Sequence, residues 1–157
     1  MSGEQTTLHT VAEPDEVQRT MTAEDRAAIG ELISLHGYLT DDGELDRYDE
    51  LFTADVVYDL ADFGLGSLEG VAAIRGVALA MGEANPVGHH VTNVILTAVN
   101  GDTVRGRSKG IGINADGTSG SVVYEDTFRR EEHGWRISHR KVVARRRPLG
   151  AGGPEPQ

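Results

Sequence analysis

The chain has no cysteine, which excludes disulfides, thiolate nucleophiles and cysteine metal sites and leaves oxygen and imidazole groups to carry any chemistry. Positive charge is scarce. Fifteen Lys and Arg stand against 25 Asp and Glu, a formal net charge of −10, and the only basic run is Arg145-Arg146-Arg147. A nucleic-acid footprint needs a net basic face, so nucleic acid is not expected as a partner. No stretch approaches the roughly 18 apolar residues of a membrane span, and the first twenty residues hold no apolar run suited to a signal peptide. The expectation is a soluble, cytoplasmic protein with no membrane partner. Also missing are a His/Asp/Glu spacing typical of zinc or iron, a glycine loop that cradles phosphate, and a nucleophile motif around serine. Neither a metal nor a cofactor is expected.

What is present suits one domain of 157 residues, a size that buries about two-thirds of its unfolded surface. Residues 1–21 are polar and acidic, with Pro14 and no periodic apolar pattern, and read as a flexible arm. Residues 148–157, "PLGAGGPEPQ", have the Gly/Pro composition of a disordered tail. The folded domain is assigned to 22–147.

Thr22 followed by Asp25 makes a capping pattern, and Ile29, Leu32, Ile33, His36 and Thr40 then recur at helical spacing, predicting a helix from Ala23 to Thr40. "ELDRYDELF", Glu44 to Phe52, reads as a second short helix and Val71 to Met81 as a third, with the β-branched segment "DVVYDLADF" between them as a strand. From His89 the period becomes two. Four long strands, His89–Val99, Thr103–Asn114, Ser119–Arg130 and Trp135–Arg146, are separated by glycine turns. Helices first and a strand meander after them predict an α+β fold: a curved antiparallel sheet with three N-terminal helices packed on its concave face.

At about 100° per residue His36 falls on the buried side of the first helix and Tyr38 on the outer side. His36 fits a core histidine or a pocket wall. Asp41 and Asp42 come where the helix ends before Gly43, where the macrodipole disfavours acids, so each is a solvated turn residue or is held there by something else. In the strand from His89, one face carries His90, Thr92, Val94, Leu96 and Ala98 and the other His89, Val91, Asn93 and Ile95. Both faces are substantially apolar, so both are expected to be covered, with one histidine inward. The next strand puts Gly106, Ser108, Gly110, Gly112 and Asn114 on a face nearly free of side chains, which leaves a hollow or relieves curvature. Tyr124 shares a face with Val122, Asp126 and Phe128, and Tyr58 one with Val56 and Leu60, so Tyr124 reads as core or pocket wall. These groups suit acid–base chemistry in an apolar cavity.

The succession "LTDDGELDRYDELFTADVVYDL", "LEGVAAIRG", "GHHVTNVIL" and "YEDTFRREEHGWRISHRKV" resembles the SnoaL-like branch of the nuclear transport factor 2-like superfamily, nearest to scytalone dehydratase and bacterial bile-acid dehydratases, over about Thr22 to Val143. The resemblance implies a cone-shaped α+β barrel. It puts the acid–base pair of those dehydratases at Asp41 and His90, with His36, Tyr58, Tyr124 and Asn114 around the substrate. The second strand histidine or aspartate of those enzymes falls within Gly110 to Asn114, where only Asn114 could stand in. The implied function is a cofactor-independent dehydratase, isomerase or cyclase acting on an apolar polyketide-, terpenoid- or steroid-like small molecule. The fold implies association into a homo-oligomer, a dimer or trimer. A non-catalytic ligand-binding or assembly module, and the small subunit of a ring-hydroxylating dioxygenase, remain open on the same fold.

Overall fold

A capping box starts the first helix. The Asp25 backbone N–H donates to Thr22 Oγ1 at 3.1 Å and the Thr22 N–H to Asp25 Oδ2 at 3.0 Å, so two otherwise orphaned donors are satisfied where α1 (Ala23–Asp41) begins. Asp25 also accepts from Trp135 Nε1 at 3.0 Å and from Arg130 Nη2 at 3.1 Å. The three donors to its carboxyl, the Thr22 backbone N–H first among them, hold it at a pKa of about 2. Ile29, Leu32, Ile33 and His36 form the inward stripe of α1, as its spacing predicts, and Leu39 joins them where Thr40 was expected, Thr40 being half-buried.

The structure, a computed structural model, describes residues 21–149; apart from their innermost positions, the arm assigned to 1–21 and the tail assigned to 148–157 lie outside the described residues. The second helix is a 3-10 segment, Leu45–Glu50. Only Glu44 to Leu51 lie between the left-handed Gly43, at φ 70°, and the next strand, too short a stretch for a stable α-helix. The strand β1 (Phe52–Asp59) follows, then a three-residue strand β2 (Ser67–Glu69) that the apolar pattern does not announce, then α2 (Val71–Met81) with the boundaries expected. The meander is β3 (Gly88–Asn100), β4 (Thr103–Ile113), β5 (Ser119–Glu131) and β6 (Gly134–Ala144).

These six strands form one curved, unclosed sheet in the order β2-β1-β6-β5-β4-β3. Its neighbours are antiparallel except β1 and β6, which corrects the all-antiparallel expectation. The long crossover through α2 and the meander brings β6 back beside β1 in the same direction, and only a connection of that length permits a parallel pair. Helix α1 packs against β3 and β6, and α2 against β1 and β2. No described helix is long and apolar enough to cross a membrane.

Two glycines of β4 seat rings from β5. A Cβ at Gly106 would come within 2.5 Å of the Phe128 ring, and one at Gly110 within 2.5 Å of the Tyr124 ring. The bare face of β4 is therefore filled at these two positions, and a hollow opens only at Gly112 and its cross-strand partner Gly120. On the opposite face Ile95, Val99, Ile111 and Ile113 are exposed, so β3 is covered on one side only, not on both as its composition suggests.

The helix and sheet come close at Gly37, where a Cβ would stand 2.7 Å from the His89 carbonyl oxygen. Helix propensity alone would make Gly37→Ala stabilising by about 1 kcal/mol; the contact reverses the sign, and a loss of roughly 1–3 kcal/mol is expected in urea unfolding. A gain would refute the close approach. Removing Asp25 as Ala is expected to cost roughly 2–3 kcal/mol, since it takes a cap and leaves the Trp135 indole N–H without its acceptor. Because its folded pKa is depressed, this contribution is present above the unfolded value near 3.8 and fades as pH falls toward about 2. Unfolding curves of Asp25→Asn and the native chain should converge over that acid window.

Candidate functional site

A cavity of about 330 Å³ lies between the C-terminal half of α1, α2 and the concave face of the sheet. Most of its wall is apolar, supplied by residues such as Leu60, Leu68, Ile74, Val77, Met81 and Val142. Polar groups enter from His36, Thr40, Tyr48, Tyr58, Asn85, His89, Asn114 and Tyr124. No Asp, Glu, Lys or Arg is among the described residues that line it. Three of the four tyrosines are therefore in this wall; the fourth, Tyr38, is 71% exposed on the outer side of α1, as the helical wheel requires. A wider, open groove of about 850 Å³ along that outer side, past Tyr38 and Trp135, contains no hydrogen-bonded acid and base.

Asp41, the last residue of α1, reaches the first residues of β3. Its Oδ2 accepts the His89 backbone N–H at 2.9 Å, and its Oδ1 lies 2.6 Å from His89 Nδ1. A carboxylate can only accept, so Nδ1 carries the proton and donates it. The tautomer is thereby set: in the neutral ring Nε2 holds the free lone pair. The partner of Asp41 is His89 and not His90. His90 is exposed, paired across from the outward Ile111 of β4.

The physical reason is a β-bulge. Thr92 stands opposite Lys109 while Ile95 stands opposite Arg107, so β3 spends one more residue than β4 over this interval. Asn93 sits in the extra residue with φ 55°, a left-handed conformation that Asn tolerates better than most residues. The inward set is thus His89 and Val91 before the bulge and Leu96 after it, which no uniform alternation produces. Unbroken period two carries the inward phase of Leu96 back to His90.

The same device hides a second feature. Between Ile137 and His139 the pairing of β6 with β5 slips by one residue at Ser138, and Arg140 turns inward. It meets Asp126, directly opposite on β5, through Nε at 2.7 Å and Nη2 at 2.8 Å, and both side chains are buried. The guanidinium lies 4.3 Å from the centre of the Tyr124 ring and 6.0 Å from that of Tyr58. Asp126 shares its face with Tyr124 in the sequence, and that was the only available signal for the pair; Arg140 was masked by the slip.

Of the other expected residues, His36 is buried, its ring edge-on to Phe52, His89 and Tyr124 at centroid distances of 6.3, 6.0 and 6.2 Å. Burial first, then the positive charge of Arg140, push its pKa well below the ordinary histidine value. Tyr58 and Tyr124 are buried in the wall, and burial pushes both phenols up. Asn114 stands at the rim, its amide donating to Thr118 Oγ1 at 3.0 Å. Tyr48 was not anticipated as a site residue: within the 3-10 segment it has no strand or helix period to reveal it, yet its hydroxyl lies 2.7 Å from Thr40 Oγ1. Among the described residues no three His, Asp or Glu side chains come together as a metal site would require.

Similarities to known proteins agree with this architecture. A protein of Novosphingobium aromaticivorans provisionally named an aromatic ring hydroxylase shares 30% identity, with 82% of this chain and 94% of that one covered at a TM-score of 0.70. A hexachlorocyclohexane dehydrochlorinase, LinA type 2, superposes with a TM-score of 0.65 over 85% of this chain and 94% of the other at 22% identity. A protein of the same Novosphingobium species provisionally named a scytalone dehydratase gives 0.67 over 78% and 85% at 19% identity. At those lower identities the likeness is one of fold. No curated protein matches the chain. The SnoaL-like domain model matches residues 21–141, nearly the whole described region, and the chain belongs to the SnoaL-like domain family.

Proposed function

We propose that the chain is a cofactor-independent acid–base enzyme, a lyase, isomerase or cyclase, in which His89 transfers the proton and Asp41 holds the imidazole. The observation that carries this reading is the Nδ1–H bond from His89 to Asp41 at 2.6 Å on a cavity that His89 itself lines. With Nδ1 engaged, Nε2 is a base; once it has taken a proton, the neighbouring carboxylate stabilises the imidazolium. The proton can then return to another carbon of the substrate, giving an isomer; to the alkoxide left when the carbanion attacks a carbonyl carbon within the same molecule, giving a closed ring; or to a departing hydroxyl, giving water. His36, neutral because of its burial beside Arg140, contributes a dipole and no charge. The apolar, uncharged wall selects a neutral substrate.

A second reading, an accessory subunit of an aromatic ring hydroxylase, draws on the provisional name of the 30% identical Novosphingobium protein. It assigns no task to a histidine whose tautomer is fixed by a carboxylate at a cavity wall, and the first reading is preferred for that reason.

The reading is tested without knowledge of the natural substrate by following deuterium entry from D₂O into the α-carbon of small cyclic ketones. The native protein is expected to accelerate exchange, His89→Ala and Asp41→Asn to reduce it on the order of a hundredfold or more, and His90→Ala to leave it unchanged. Equal exchange in native protein and His89→Ala, or none with the native protein, would overturn the proposal. The depressed pKa of His36 makes a separate prediction. The unfolded chain binds a proton at this residue below about 6.5 and the folded one does not, so stability is held above that pH and lost as pH falls below it. Unfolding midpoints between pH 7 and 5 should fall more steeply for the native protein than for His36→Leu.

A further inference from the structure

The mouth of the cavity has a composition of its own. Of the large apolar side chains that stay exposed, Phe63, Leu65 and Met81 also line the cavity and so mark its opening. Phe63 and Leu65 stand on the connection between β1 and β2, a loop closed by the Leu60 N–H donating to the Gly66 carbonyl at 2.8 Å, with Gly64 and Gly66 left-handed at φ 73° and 67°. Both side chains are 45% exposed. Single exposed apolar groups are ordinary, but several gathered round an opening mark a contact with something apolar.

The one basic run of the chain is bonded to this loop. The Ala144 N–H donates to Asp62 Oδ2 at 3.1 Å, Arg146 Nη2 donates to the Asp62 carbonyl at 3.0 Å, and the Arg146 guanidinium lies 5.7 Å from the centre of the Phe63 ring. Arg145, Arg146 and Arg147 are all exposed. A chain with a net charge of −10 thus places its only run of cations beside the opening of an apolar cavity.

Apolar tips flanked by arginines match a surface that is anionic above and apolar beneath. A bilayer containing anionic lipids has that order: a ring and a leucine enter at the boundary of headgroups and acyl chains while guanidinium groups pair with phosphates. An acidic protein would match the arginines and leave the ring and the leucine in water. A bilayer is also where a neutral, apolar ligand of this cavity collects.

We infer that the cavity mouth docks on an anionic lipid bilayer, with Phe63 and Leu65 in the apolar phase and Arg145 and Arg147 against the headgroups. The contact is superficial and needs no spanning helix, whereas the expectation of no membrane partner rested on the lack of spans and signal segments. Repulsion from the net negative charge is screened over about 8 Å in physiological salt, so the groups at the contact outweigh it. Docking is independent of proton transfer by His89.

The experiment is co-sedimentation of the full chain, at physiological salt, with vesicles of phosphatidylcholine alone and of an equimolar mixture with phosphatidylglycerol. The native chain is expected to bind the mixed vesicles, and the neutral ones roughly tenfold or more weakly. Arg145→Gln/Arg147→Gln, which leaves the bonded Arg146 in place, is expected to weaken binding to the mixed vesicles roughly ten- to thirtyfold. Phe63→Ser/Leu65→Ser is expected to weaken it by about tenfold, and Tyr38→Ser, which removes an exposed ring from the outer side of α1, by less than about twofold. No binding of the native chain to mixed vesicles, binding indifferent to the arginine pair, or an equal loss in Tyr38→Ser overturns the inference. So does retention on immobilised polyglutamate without binding to vesicles, which assigns the surface to an acidic protein.

Discussion

The buried pair of Arg140 and Asp126 is the constraint around which the cavity is organised. Two charges withdrawn from water cost several kcal/mol each before their attraction is counted, and they are retained through a two-point hydrogen bond between residues facing each other on adjacent strands. Its position explains the rest of the floor. Tyr124 lies over the guanidinium and Tyr58 beside it, so the cavity has a cation behind its wall and none in it. The same charge is one of the causes that keep His36 neutral. The interior is thus polarised by a charge that a ligand does not touch.

Helix α1 is held at both ends by carboxylates. At its start Asp25 gathers the cap, Trp135 and Arg130; at its end Asp41 gathers the ring and the backbone of His89. The first acid is favoured by the helix dipole and the second is opposed by it, for the last turn contains no basic residue. Two donors from β3 offset that opposition, and they require the strand to come close. Gly37 permits it by presenting no side chain to the His89 carbonyl. The location of the acid and the absence of a Cβ one turn earlier are parts of one contact.

How much of this was legible in the sequence follows from where periodicity is unbroken. The bounds of α2, the inward stripe of α1 with His36 on it, the outward Tyr38 and the glycine face of β4 all come from stretches of regular spacing. Asp41 was legible only through the family resemblance, since the helix dipole makes an acid at that end out of place but leaves Asp41 and Asp42 level. His89 and Arg140 were not. Each lies beyond a one-residue slip, at Asn93 in β3 and at Ser138 in β6, and a slip of one reverses every assignment on its far side. A bulge is specified by the pairing of two strands, which a reading of either strand alone does not contain. Tyr48 was missed for a different reason: a six-residue 3-10 turn has too short a period to assign faces.

The bulge at Asn93 also changes the meaning of the adjacent histidines. Keep Ile95 opposite Arg107 and draw β3 without the extra residue, and Thr92 moves opposite Gly110 and His90 opposite Gly112, the partner that His89 has in the structure. The two registers of this edge strand are degenerate in one respect: either presents an imidazole at the position facing Asp41. They differ in their neighbours, since Val91 and its apolar contact with the core would give way to Thr92. The two registers thus differ in whether Val91 or Thr92 meets the core, and each keeps a histidine opposite Gly112.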